Sequence, residues 1–129
     1  MTDQYLYLIH EPDWDSDAFL AGGGGVPGGD PENNFPAHKA FQEAVVELGA
    51  RIVGGVALQN ARHGGRVTPG AGDRALDDAV YSDGPYPDTT EVVSGYYVVE
   101  TDDEALARRI AALVPTGGHI EWRKVFPIS

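Results

Sequence analysis

The 129-residue sequence contains no cysteine, and it has no run of about eighteen apolar residues of the kind that spans a membrane. A disulfide, a thiolate metal site and a thiol nucleophile all need cysteine, so this sequence can form none of the three. The sequence begins Met-Thr-Asp-Gln, without the basic start of a secretory signal. We therefore expect a cytoplasmic protein with no membrane partner.

Basic residues are also scarce, with 9 Lys and Arg against 20 Asp and Glu, for a formal net charge of -11 at pH 7. Binding to phosphate backbones depends on cationic contacts, so nucleic acid is not an expected partner. The acidic residues are spread over turns and helix starts without a long block, a pattern typical of a solvated surface. The charge does not identify a substrate.

The length fits a single domain, 1–129, with one unusual segment at about 12–34. Four consecutive glycines, Gly22 to Gly25, and several prolines in this segment cannot sustain a helix or a strand. The segment predicts a long loop, which is either a lid or binding loop or a tolerated insertion. It is not a phosphate loop, because no Gly-Lys-Ser/Thr follows the glycines.

Strands are predicted where aromatic and β-branched residues concentrate, and helices where apolar residues recur at three- and four-residue steps. Asp102 or Asp103 is the expected N-cap of the second helix. The pair Gly54-Gly55 marks a bulge or a close approach within a strand. In chain order, the predicted elements are a strand at 4–10, a helix at about 36–48, strands at 51–58, 66–68, 79–82 and 92–101, a helix at 104–113 and a strand at 119–125.

This order predicts an α+β fold, an open sheet with both helices on one face in a ferredoxin-like β-α-β-β-α-β sandwich. The other sheet face would be bare and apolar, and such a face is normally buried against something. We therefore predict a homodimer in which two sheets pack face to face as a dimeric α/β barrel.

Several short segments together form a recognisable pattern, and they resemble the DGPF group of YCII-related proteins. They are Ala37-His38-Lys39-Ala40-Phe41, Gly54-Gly55, Asp83-Gly84-Pro85-Tyr86, Gly95-Tyr96-Tyr97 and Gly118-His119-Ile120-Glu121-Trp122-Arg123. Tyr86 stands where the motif has Phe, which keeps an aromatic ring. The resemblance runs from the first strand to the C-terminus, and it implies the same fold and dimeric α/β barrel.

The resemblance brings no established reaction and no cofactor. In the broader YCII-like group a His and an Asp are proposed as a catalytic pair, and some distant barrel relatives are isomerases, lyases or dehalogenases of small ring compounds. Proteins of the DGPF type are also linked with extracytoplasmic-function sigma factors, which implies a regulatory or stress setting.

His38 and Asp83 are the candidate catalytic residues. His38 borders the apolar stripe of the first helix at Phe41, so its ring points inward or toward a pocket edge. A histidine acts as a general acid or base near neutral pH when a carboxylate orients it, and the resemblance places a His at this helix position. The alternative is that His38 is a hydrogen-bonded histidine at the core edge and that Asp83 caps its own stiff turn.

His10, Tyr86 and Tyr97 are the candidate ligand-binding residues. His10 ends the first strand close to Glu11, where a strand end facing the long loop forms a natural pocket rim. No HxH, HxxxH or HExxH spacing occurs, so we expect no metal ion there. Side chains alternate along a strand, so one of Tyr96 and Tyr97 faces the helices and the other faces the dimer side.

These residues support three function classes. The first is an enzyme that works by acid-base catalysis on a small organic molecule, with His38 carrying the proton and Asp83 orienting it. The second is a non-catalytic ligand-binding or regulatory homodimer linked to a sigma factor or a stress response, and the third is a structural interaction module. The distance between the His38 ring and the Asp83 carboxylate separates the first class from the others.

Overall fold

A computed structural model of the chain describes residues 2–12, 36–59, 63–70, 72, 79–83 and 92–127. Two predicted features lie outside these ranges: nearly all of the Gly-rich loop at 12–34, and residues Gly84, Pro85 and Tyr86 of the acidic turn. Asp83 is described as part of a strand, but its side chain is outside the described part of the structure.

The described residues form six strands and two helices. They are β1 (Asp3–Glu11), α1 (Pro36–Glu47), β2 (Arg51–Ala57), β3 (Gly65–Thr68), β4 (Val80–Asp83), β5 (Val92–Thr101), α2 (Glu104–Ala111) and β6 (His119–Lys124). Every predicted element is present, and the ends differ from the prediction by no more than one or two residues.

Four of the strands form an antiparallel sheet in the order β2-β5-β1-β6, and β3 pairs with β4 in a separate two-stranded ribbon. Each helix connects two strands that have a third strand between them, which is the split β-α-β arrangement of ferredoxin-like folds. The predicted α+β fold is confirmed. Over the residues that the structure describes, neither helix is long and apolar enough to cross a membrane.

One face of the four-stranded sheet packs against both helices. The odd-numbered side chains of β1, Tyr5, Tyr7 and Ile9, are buried there, and the even-numbered ones point to the other face. The helices contribute apolar side chains at three- and four-residue steps. The buried hydrophobic residues form one cluster: Tyr5, Tyr7, Ile9, Phe41, Val45, Ala50, Val99, Ala107, Ile110, Ala111 and Val114.

The end of α1 is set by Gly49, which has a φ of 87°. The Gly49 amide donates to the Val46 carbonyl and the Ala50 amide donates to the Val45 carbonyl, the two bonds of a Schellman motif. Glycine adopts this left-handed conformation without the penalty that a Cβ brings. Ala50 and Val45 are both buried. The turn therefore packs against the core, and β2 begins immediately after it at Arg51.

The face of the sheet opposite the helices is apolar along the middle of β1, β5 and β2 and polar along β6, which contributes His119, Glu121 and Arg123. It carries Leu6 and Leu8 of β1, which pair with Val98 and Tyr96 of β5, and Val56 of β2, which also pairs with Tyr96. Val56 is 50% exposed, and no described helix covers this face. The other four apolar residues are partly exposed, so among the described elements the helices leave this face uncovered.

The contribution of the N-cap of α2 to the stability of the fold can be tested by substitution. Asp103 is the cap, because its side chain accepts a hydrogen bond from the Leu106 amide. Replacing an N-cap Asp by Ala costs about 1 kcal/mol, so we expect Asp103→Ala to lower the free energy of unfolding by that amount in urea denaturation. Asp102→Ala, the matched control one residue earlier, should change it by only a few tenths. Equal losses in the two variants would contradict this assignment.

Candidate functional site

His38 lies in the first turn of α1, and its Nδ1 is 2.8 Å from the hydroxyl oxygen of Tyr97 in β5. The two rings are tilted by 35°, with their centroids 5.8 Å apart. His38 is half-buried, as expected for a side chain at the border of the apolar stripe of α1. This hydrogen bond joins a titratable group of the helix layer to the sheet.

Tyr97 occupies the helix-covered face of the sheet. It pairs with Tyr7 across β1 and β5, and its ring centroid lies 4.9 Å from that of Phe41 in α1. Tyr96 pairs with Leu8 and therefore points to the opposite face. The structure thus settles which of the two neighbouring tyrosines faces the helices.

Burial moves the pKa values of both partners away from their ordinary values. The pKa of His38 is lowered below 6.5, mainly by burial, with the negative charge of Glu11 acting in the opposite direction. The pKa of Tyr97 is raised above 10.0, mainly by burial, and a hydrogen bond with the Gln42 side chain opposes that shift. At neutral pH the site therefore contains a neutral imidazole next to a protonated phenol.

The bond between His38 and Tyr97 suits both protonation states of the imidazole. A neutral His38 with its proton on Nε2 accepts at Nδ1 from the Tyr97 hydroxyl, whereas a neutral His38 with its proton on Nδ1 donates to the Tyr97 oxygen and can take up a proton at Nε2. A protonated His38 also donates from Nδ1 to the Tyr97 oxygen. The Tyr97 phenol can thus hold the imidazole ring in one orientation in both its neutral and its protonated form. Such an arrangement is what a general acid or base needs.

The structure places the other predicted catalytic residue, Asp83, at the end of β4 in the two-stranded ribbon. The Asp83 side chain lies outside the described part of the structure. Tyr86 lies outside the described residues as well. The His38–Asp83 pair and the ligand-binding role of Tyr86 stay predictions.

His10 lies away from His38 and Tyr97, on the opposite face of the sheet. Its ring stacks on that of His119, with centroids 4.4 Å apart and planes within 8°, and these residues are register partners on β1 and β6. Its Nε2 lies 3.5 Å from a carboxylate oxygen of Glu121, close enough for an ion pair when His10 is protonated, although the geometry does not make a hydrogen bond. Of the predicted site residues, the structure brings His38 and Tyr97 together and leaves His10 apart.

No group of three His, Asp or Glu side chains within the described ranges is arranged to hold a metal ion. Asp13, which the sequence places near His10 and Glu11, is outside those ranges. The described residues at His38 offer one imidazole, a phenol and an amide. This donor set is suited to moving a proton.

A sequence model of the YCII-related domain matches residues 29–129. The chain belongs to the YCII-related family. The match covers most of the chain and includes α1 with His38, the ribbon and the C-terminal strand β6. A search of curated proteins finds no match to this chain. The comparisons therefore identify the family of the domain that contains the site, but no reaction.

The contact between His38 and Tyr97 in this YCII-related domain was missed by sequence reasoning, although each residue was selected separately. Gln42, which interacts with Tyr97, was also missed. His38 and Gln42 are four residues apart on one helix, so they share a face. Their spacing was a signal that both side chains reach the same part of the sheet.

The lowered pKa of His38 predicts how stability depends on pH. Since His38 binds a proton less readily in the folded state than in the unfolded state, its contribution is complete above pH 6.5 and is lost as pH falls through 6.5 toward the folded pKa. We expect the wild-type free energy of unfolding to fall more between pH 7.5 and pH 5.5 than that of His38→Gln, measured by urea denaturation.

The exposed His63 provides the matched control for this measurement. His63→Gln should keep the wild-type pH dependence if His38 is the group responsible for it. A wild-type slope in His38→Gln would show that His38 is not the group responsible.

Proposed function

We propose that this YCII-related domain is a small-molecule enzyme that works by acid-base catalysis, with His38 as the proton carrier. The observation that carries the proposal is the 2.8 Å hydrogen bond between His38 Nδ1 and the Tyr97 hydroxyl. A neutral, oriented imidazole at the border of the core can accept a proton at neutral pH. Tyr97 keeps the ring in place, and Asp83 remains the predicted carboxylate partner.

The local charges support this role. Burial keeps the His38 imidazole unprotonated at neutral pH, and the carboxylate of Glu11 favours the protonated form once a proton has been taken up. Burial is the larger effect, so the pKa of His38 lies below 6.5, and the opposing charge of Glu11 limits how far the pKa falls below neutral pH. A general base works best when its pKa is near the working pH.

Proton abstraction from carbon can be detected without knowing the physiological substrate. We would incubate the protein in D2O with a panel of small lactones, cyclic enones and β-keto acids and follow loss of C–H signals by proton NMR. The wild type should exchange at least one class, with a rate that falls at acidic pH as His38 becomes protonated. His38→Gln should lower the rate by about 100-fold or more.

Two further variants separate the roles of the partners. Tyr97→Phe keeps the ring and removes the hydroxyl, so we expect a smaller loss of about 10-fold from less precise orientation of His38. Asp83→Asn should lower the rate only if the carboxylate is part of the pair. Exchange at the wild-type rate in His38→Gln would refute the proposal, and binding of a panel compound without any exchange would favour a non-catalytic role.

The second candidate, a ligand-binding or regulatory homodimer, is favoured by the open apolar sheet face. Leu6, Leu8, Tyr96, Val98 and Val56 lie together on this face, and a contiguous apolar surface of this kind marks an interaction site. We propose that a second copy of the chain covers it, sheet against sheet. The dimer is compatible with either function.

A pair of identical substitutions tests the proposed dimer. Val56→Glu puts a charge on the open face, and Val46→Glu puts the same charge on the surface of α1, where Val46 is 69% exposed. By size-exclusion chromatography with light scattering at micromolar concentration, we expect the wild type and Val46→Glu to be dimers and Val56→Glu to be a monomer. A monomeric wild type would rule out this assembly.

A further inference from the structure

Gly55 lies directly opposite Tyr97 in the pairing of β2 with β5. A Cβ built on Gly55 would lie 2.9 Å from Cδ1 of Tyr97 and 2.9 Å from the carbonyl oxygen of Tyr96. Carbon atoms in favourable contact are about 3.5–4.0 Å apart. The Tyr97 ring and the Tyr96 carbonyl oxygen therefore occupy the space that a side chain at position 55 would need, and the φ of Gly55, 159°, is one that other residues rarely adopt.

The ring of Tyr97 is held from two directions. The backbone of β2 bounds it at Gly55, and Phe41 of α1 contacts it with a ring separation of 4.9 Å. The hydroxyl at the end of the ring then reaches His38 Nδ1 at 2.8 Å. A glycine inside a strand weakens it, unless something must approach the backbone closely, and here that is the Tyr97 ring.

We infer that Gly55 is a positioning residue for the His38 site, because the missing side chain lets the Tyr97 ring lie against β2 with its hydroxyl on His38. This inference rests on the proposed function, since it concerns the same pair of side chains. A methyl group at position 55 displaces Cδ1 of Tyr97, and the hydroxyl, further from the backbone, moves more when the ring tilts. The hydrogen bond to His38 then lengthens or breaks.

The neighbouring Gly54 provides a matched control. A Cβ at Gly54 would meet only the Val98 side chain, at 3.7 Å, which is ordinary van der Waals contact. Gly54 pairs with Val98 on the open face of the sheet, away from His38. Gly54→Ala makes the same chemical change in the same strand, with the same loss of freedom in the unfolded chain.

The first test measures the His38 ring nitrogens by NMR in 15N-labelled wild type, Gly55→Ala, Gly54→Ala and Tyr97→Phe. We expect Gly55→Ala to move the Nδ1 resonance toward its position in Tyr97→Phe, and Gly54→Ala to leave it at the wild-type position. A wild-type Nδ1 resonance in Gly55→Ala would overturn the inference. The measurement needs no turnover, so it is decisive even when no compound is exchanged.

The second test covers a Gly55→Ala variant that folds poorly. Tyr97→Ala removes the ring contact but leaves the contact with the Tyr96 carbonyl oxygen and the positive φ of Gly55. Gly55→Ala should therefore still lower the urea midpoint in this background, but by less than it does in the wild type. A loss in the Tyr97→Ala background as large as in the wild type would show that the ring is not what requires glycine, and would overturn the inference.

Discussion

The register of β5 between β1 and β2 is the constraint on which the rest of this structure depends. It places Tyr97 opposite Tyr7 on one side and opposite Gly55 on the other. Because side chains alternate with a period of two, a slip of one residue would exchange Tyr97 for Tyr96. The hydroxyl would then point to the open face, and His38 would lose its partner in the sheet.

Two tyrosines that pair across the central strands connect the sheet to different helices. The Tyr7 hydroxyl donates to the Ala107 carbonyl of α2 at 2.6 Å, and the Tyr97 hydroxyl bonds His38 of α1. Burial raises the pKa of Tyr7 to about 12 and that of Tyr97 above its ordinary value, so both hydroxyls keep their protons at neutral pH. The first bond ends on a carbonyl that cannot titrate, and the second ends on an imidazole that can. The same kind of tyrosine contact thus ends on a fixed acceptor at one helix and on a titratable group at the other.

The sequence predicted the elements well because their signals are local: apolar period, capping residues and Gly or Pro at the ends. The register was not accessible in the same way. Pairing shifts between Ile9 and His10 and between Ile52 and Gly54, and such shifts change which side chains meet. The pair Gly54-Gly55 marked the second shift in the sequence, but no comparable feature marked the first. His38 and Tyr97 were therefore each identified as site residues, while their contact was missed. His10 was placed at a pocket rim, but its position among even-numbered residues of β1 puts it on the face away from His38.

The observed partner of His38, Tyr97, and its predicted partner, Asp83, differ in how firmly the fold holds them. Tyr97 belongs to a strand paired on both sides and packed against Phe41. Asp83 ends a two-stranded ribbon whose residues Val67, Val80 and Tyr81 are all more than half exposed, and a two-stranded ribbon alone is marginally stable in water. A catalytic group needs its orienting partner on a rigid element. Tyr97 therefore orients the His38 imidazole in the protein without ligand. Whether Asp83 also helps to orient it depends on what packs against the ribbon.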